Sequence, residues 1–171
     1  MSIRNKYEAE LAQVFDKLVT MCRETERAID RSVEALVRRN PELSRAVIDE
    51  DKNIDRLEHE IEQDCLKILL MEHPVASDFR DVSAALKMIT DLERIADQAA
   101  DISEIALQFG SEQYIKEPEH IAEMAKLATA MVKDSVESYI NRDVALARSL
   151  DARDDRVDEL FETVKRDLVA L

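Results

Sequence analysis

Residues 77–106 contain neither glycine nor proline, and their apolar side chains recur every three or four positions. Leu86, Ile89, Leu92, Ile95 or Ala96, Ala99, Ile102 and Ala106 carry the pattern. That is the period of a helix burying one stripe. The same rhythm governs the rest of the chain. One glycine and three prolines interrupt 171 residues, and tryptophan is absent. So few turn formers exclude most β architectures, and the fold class reads as all-α, an antiparallel helical bundle. The length is that of one domain, or one and a part, with a substantial core.

Beside the stripe of this helix runs a second series, Glu93, Asp97, Asp101 and Glu104. Carboxylates four positions apart on a helix have Cβ atoms roughly 5–6 Å apart and disfavour it by a few tenths of a kcal/mol per pair. Something positive over them, or a proton, relieves that repulsion.

Taken in order, the periodicity predicts a first helix over residues 3–39, with Tyr7, Leu11, Val14, Leu18, Met21, Cys22, Ile29, Val33 and Leu36 inward. Asn40-Pro41-Glu42 then breaks and restarts the chain: an N-cap, a proline at the first helical position and an acid in the first turn. The second helix runs to Met71, where His73-Pro74 stops it. Its early half carries another acidic ladder, Asp51, Asp55, Glu58 and Glu62. The third helix ends at Gly110, the lone glycine, where a left-handed cap is expected. A polar loop over residues 111–117 leads to Pro118, which opens a fourth helix to about Arg142. Asp143 caps a fifth, expected to continue unbroken to Leu171.

A shift of 103 residues superposes Ser32-Val-Glu on Ser135-Val-Glu and the cap Asn40 on the cap Asp143. It also superposes Asp51-Lys-Asn-Ile-Asp-Arg-Leu57 on Asp154-Asp-Arg-Val-Asp-Glu-Leu160, with no gap. Two unrelated amphipathic helices share a stripe by chance, but seldom the caps and the acid pair as well. The chain therefore reads as an internal duplication. Residues 1–110 form a first three-helix unit, and residues 118–171 form a second that lacks its third helix. An apolar face left open in this way is unusual on a monomer. Two explanations arise: the sequence is a piece of a protein about 45 residues longer, which the reading favours, or another subunit covers the face.

The second and third helices, joined by a short connection, are expected to be antiparallel neighbours. If Asp51 and Asp55 face Glu93 and Asp97, the four carboxylates cannot all stay charged without compensation. Arg56 or Arg94, raised pKa values or a hard cation could supply it. Oxygen-only ligands suit Mg²⁺, Ca²⁺, Mn²⁺ or iron.

The run Pro74-Val-Ala-Ser-Asp-Phe-Arg-Asp-Val-Ser-Ala-Ala-Leu-Lys-Met-Ile-Thr-Asp-Leu-Glu-Arg-Ile-Ala-Asp97 resembles the signature helix of the PhoU family. The Asp-x-x-Ile-Asp-x-Leu run on the second helix does too, and the likeness extends from the N-terminus to Leu171. The resemblance implies tandem three-helix PhoU-like units, and Glu/Asp-x-x-x-Asp motifs that in some members bind iron or another cation (Mg²⁺, Mn²⁺, Zn²⁺ or Ca²⁺). Carried onto this chain, those positions are Asp51, Asp55, Glu93 and Asp97, with Asp154 and Asp158 as half of a second site. Where the family often reads Gly-Asp-His, this chain has Ala96-Asp97-Gln98, so a histidine ligand is missing there. By the same resemblance the chain is a cytoplasmic regulator of phosphate uptake and phosphate-starvation signalling. Its implied partners are the ATPase subunit of the phosphate ABC transporter and the sensor histidine kinase, with a homodimer expected.

The residues also weigh on other functions. A net charge of −14 repels nucleic acid and anionic lipid headgroups. Cys22 and Cys65, without a Cys-x-x-Cys, read as buried free thiols. No apolar run reaches the ~18 residues of a membrane span. A ferritin-like di-iron carboxylate protein would need Glu-x-x-His from two helices. Only Glu117-Pro-Glu-His120 matches, and it reads as a helix start. His59, His73 and His120 are scattered without a nucleophile beside them, which leaves no case for an enzyme. No glycine-rich loop is present to cradle phosphate. A metal-free helical adaptor is the remaining rival.

Overall fold

The computed structural model describes residues 3–110 and 113–170. Its elements are α1 (Ile3–Arg38), α2 (Pro41–Met71), α3 (Ser77–Phe109), α4 (Glu119–Asn141), α5 (Val144–Arg148) and α6 (Asp151–Val169). The expected all-α bundle is what forms. Helices α1, α2 and α3 pack on one another, α4 lies on α1, and α5 and α6 pack on α4.

The core sits between the first three helices. Val14, Leu18 and Met21 of α1, Ile54 and Ile61 of α2, and Val82 and Ile89 of α3 are almost wholly excluded from water. Each fully buried aliphatic side chain contributes roughly 1.5–3 kcal/mol relative to exposure. At the ambiguous step of the α3 stripe the small Ala96 goes inward, while Ile95 is only partly covered. Small residues at Ala85, Ala96, Ala99 and Ser103 let α3 approach its neighbours closely. Both cysteines are free and buried.

The caps form much as the sequence dictates. Asn40 accepts from the amides of Glu42 and Leu43, and Asp143 from that of Leu146. Both preceding helices end on a residue of positive φ, Arg39 at 53° and Arg142 at 55°. In each case the following amide reaches back five residues, Asn40 to the Ala35 carbonyl and Asp143 to that of Ser138. A salt bridge also recurs with its charges exchanged: Arg31–Glu50 joins α1 to α2, and Asp134–Arg153 joins α4 to α6. All these pairs stand 103 positions apart.

Two expectations are corrected. Gly110 has positive φ (57°) but ψ of −128°, so it closes α3 by a single bond to Leu107 rather than in the left-handed helical conformation. The helix expected from Asp143 to Leu171 is broken at Ser149-Leu150 into α5 and α6. The Ser149 hydroxyl donates to the Leu146 carbonyl at 2.7 Å, a local bond that competes with the helical ladder. The matching residue of α2 is Ala46, which has no such bond to offer, and α2 is continuous. Of the expected loop, Ser111 and Glu112 lie outside the described residues, as does Leu171 at the end of the last helix.

Candidate metal site between α2 and α3

The packing of α2 against α3 does bring the acidic ladders together. Asp51 and Asp55 stand one turn apart on α2, and Asp97 meets them from α3. Carboxylate oxygens of these three residues lie within 4.8 Å of one another. Asp51 is half-buried; Asp55 and Asp97 are exposed. Glu93, one turn before Asp97, is half-buried and stands outside that trio.

The electrostatics record the crowding. Burial, then the charges of Asp55 and Asp97, push the Asp51 carboxyl up to about 6, with a hydrogen bond to Asp97 and the charge of Asp101 adding to it. Glu93 is also raised, by burial first and then by Asp97, Glu58, Asp55 and Asp51. The basic residues that could have covered the ladders are engaged elsewhere. Arg56 approaches Glu60 at 4.0 Å, and Arg94 approaches Asp91 at 3.8 Å. The crowding raises the Asp51 carboxyl, so a proton relieves the repulsion only below about pH 6, and a hard cation is the agent that would relieve it above that.

Two neighbours deserve a place at the site that the four matched positions alone do not give them. Glu58 accepts from Thr90 Oγ1 at 3.2 Å across the α2–α3 interface, and Asp101 accepts from Gln98 Nε2 at 3.3 Å. The one-turn spacing Asp51, Asp55, Glu58 and Glu93, Asp97, Asp101 was the signal for both. Gln98 thus offers an amide beside the ladder where a histidine would offer a ring nitrogen.

The second pair is not completed. Asp154 lies on an open groove of about 420 Å³ between α3, α4 and α6, lined mainly by Met88, Leu92, Ile95, Met131, Val136 and Val157. Asp158 lies on the outer side of α6 near Arg156 and Glu159. No third carboxylate joins them among the described residues. Glu117 and His120 sit at the start of α4, Glu117 beside Arg39 and His120 in the field of Asp167, far in sequence and element from the trio.

Comparison with known proteins follows the same outline. The PhoU domain model matches residues 18–106 and 121–171. The phosphate-specific transport system accessory protein PhoU homolog of Aquifex aeolicus is 36% identical over 160 residues, 94% of this chain and 72% of that protein. The Escherichia coli accessory protein PhoU is 28% identical over 98% of this chain and 69% of its own length. The crystal structure of PhoU from Pseudomonas aeruginosa superposes with a TM-score of 0.91 at 28% identity, covering 96% of this chain and 79% of that one. A Streptococcus pneumoniae PhoU structure shares the fold with a TM-score of 0.88 at 23% identity. With its helical order, its facing acidic ladders and a domain match running through both halves, this chain belongs to the PhoU family.

Proposed function

We propose that the chain regulates phosphate uptake and phosphate-starvation signalling as an adaptor on the cytoplasmic side. It would contact the ATPase subunit of the phosphate ABC transporter and the sensor histidine kinase. One observation carries this reading: nearly the whole chain aligns with relatives named as phosphate-specific transport accessory proteins. The surface agrees with an accessory role. It is strongly acidic and built of exposed helix faces, and no described helix is long and apolar enough to cross a membrane. Co-purification with the ATPase and the kinase, each alone and together, tests it. A chain that retains neither protein contradicts the adaptor role.

Asp51, Asp55 and Asp97, with Glu93 one turn away, would hold a hard cation such as Mg²⁺, Mn²⁺, Ca²⁺ or iron. The fit rests on the donor set, which is oxygen throughout and lacks the nitrogen and sulfur that zinc favours. The cation would neutralise the repulsion between α2 and α3 and so tie the two helices together. Metal content after equilibrium dialysis, compared with that of an Asp55→Ala/Asp97→Ala variant, measures this directly. The metal-free adaptor keeps one observation in its favour, since Asp55 and Asp97 are exposed to water, which screens their charges without a cation. Equal, negligible uptake by both proteins would select it.

A further inference from the structure

Among the described residues thirteen large apolar side chains remain exposed, and five of them lie on one hairpin end: Leu66, Leu70, Met71, Val75 and Phe79. They span the last two turns of α2, the connection, and the first turn of α3. Scattered exposed apolar residues are ordinary; several gathered on one tip are a docking signal. The backbone of that tip is also unusual, with His73 at φ 48° and Ala76 at φ 45°, ψ −103°, conformations that residues bearing a Cβ rarely adopt.

The charges around the tip are layered. Glu10, Glu72, Asp78 and Asp81 are only 4–20% exposed, and each lies beneath a cation. Those cations, Arg4, Lys6, Lys67 and Arg142, are 50–71% exposed, and Arg4 alone of the four also pairs with an exposed acid, Glu8, among the described residues. Arg80 stands exposed beside Phe79 with no ion pair among the described residues. A protein of net charge −14 thus presents at this end an apolar ridge framed by positive groups.

We infer that this α2–α3 tip is the docking surface for a protein partner whose contact face is an apolar cleft edged by carboxylates. The inference rests on the adaptor reading and assigns it a surface. A lipid bilayer is a poorer match. Its headgroup field acts over roughly 10 Å, a range at which the carboxylates below the cations and the overall negative charge are felt as well. A neighbouring protein carboxylate acts at contact distance, where the outer cations dominate. A second copy is poorer still, because a tip-to-tip contact sets like-charged cations against each other. A tip-in-groove contact is head-to-tail and leaves one tip and one groove unmatched unless it closes into a ring.

The test is biolayer interferometry of the whole chain against the transporter ATPase and the kinase's cytoplasmic part from the same genome. Leu70→Ser/Val75→Ser and Lys67→Glu/Arg80→Glu change exposed residues only, and circular dichroism checks that each variant folds. The apolar pair should weaken one of the two complexes at least about tenfold, and the charge pair should weaken it and flatten its salt dependence. Phe161→Ser, an exposed apolar change on α6, should stay within about twofold of wild type. Wild-type binding that both tip variants retain in full overturns the docking surface while sparing the adaptor. Wild type that binds neither protein overturns the adaptor, and the docking surface with it. Binding confined to phosphatidylglycerol vesicles, or self-association abolished by the tip variants, gives the tip a different occupant and overturns the inference.

Discussion

Ile61 on α2 is wholly buried, while Val164, 103 positions later on α6, is half covered; Cys65 is wholly buried, and its counterpart Leu168 is 59% exposed. The two helix pairs share caps, positive-φ ends and an interhelical salt bridge, so the difference does not come from their local sequence. It comes from a third helix. In the first half α3 lies over the seam of α1 and α2 and closes the core. Over the seam of α4 and α6 the described residues leave the open groove that Met131, Val136 and Val157 line. The same contrast separates the acid pairs. Asp51 and Asp55 have Asp97 across from them; among the described residues Asp154 and Asp158 have no such partner. An amphipathic pair specifies a place for a third helix, and only that helix converts the place into a core and brings a third carboxylate to the ladder.

The largest expected effect contrasts the two cores. Ile61→Ala should cost about 3 kcal/mol in urea unfolding, the loss of a fully buried branched side chain. Val164→Ala, at the matching position, should cost less than about 1 kcal/mol. Equal costs would mean that α6 is as closed as α2 and would dissolve the comparison.

Next comes the cation. At a concentration one hundred times its dissociation constant, a bound hard cation should stabilise wild type by about 2.7 kcal/mol. Asp55→Asn/Asp97→Asn should abolish that gain in thermal melts with and without chelator. Asp154→Asn/Asp158→Asn should leave it intact, and a loss there would show that the second half holds metal too.

The pH dependence of the metal-free chain is smaller. A carboxyl raised in the folded state favours folding when protonated. The contribution of Asp51 is therefore fully present below its ordinary value of 3.8 and disappears as pH rises through about 6. Because Asp51 is partly solvated, the expected loss is only about 1 kcal/mol after screening. Asp51→Asn should remove this part of the slope and make the chain more stable than wild type at pH 7.5, but not at pH 4. A parallel slope in both proteins would contradict the crowding.

The exchanged salt bridge gives the finest test. Arg31→Asp should destabilise by about 0.5–1 kcal/mol, and adding Glu50→Arg, which copies the polarity of Asp134–Arg153, should restore most of it. A double variant no better than the single one would show that the two pairs sit in different surroundings.

Much of this molecule is legible in its chain. The periodicity of α1 to α4 and the caps at Asn40 and Asp143 follow from local chemistry. The approach of the two ladders follows from helix order and a short connection. Other features depend on context. Ile95 and Ala96 are both apolar, and only the closeness of α3 to α1 and α2 decides that the smaller goes inward. The break at Ser149 depends on one hydroxyl finding its carbonyl, an option that periodicity does not reveal. The positive-φ end that two arginines adopt is not a residue preference that sequence rules expose.

By itself the sequence determined that the chain is helical, where most helices begin and end, and which aspartates recur. Those properties arise within one or two turns, where propensity and capping act. The tertiary structure alone decided which acids meet, which arginines are diverted to Glu60 and Asp91, and which apolar stripe is closed. Each of those outcomes turns on a few ångströms between side chains on different helices, and burial and charge interactions change steeply over that distance.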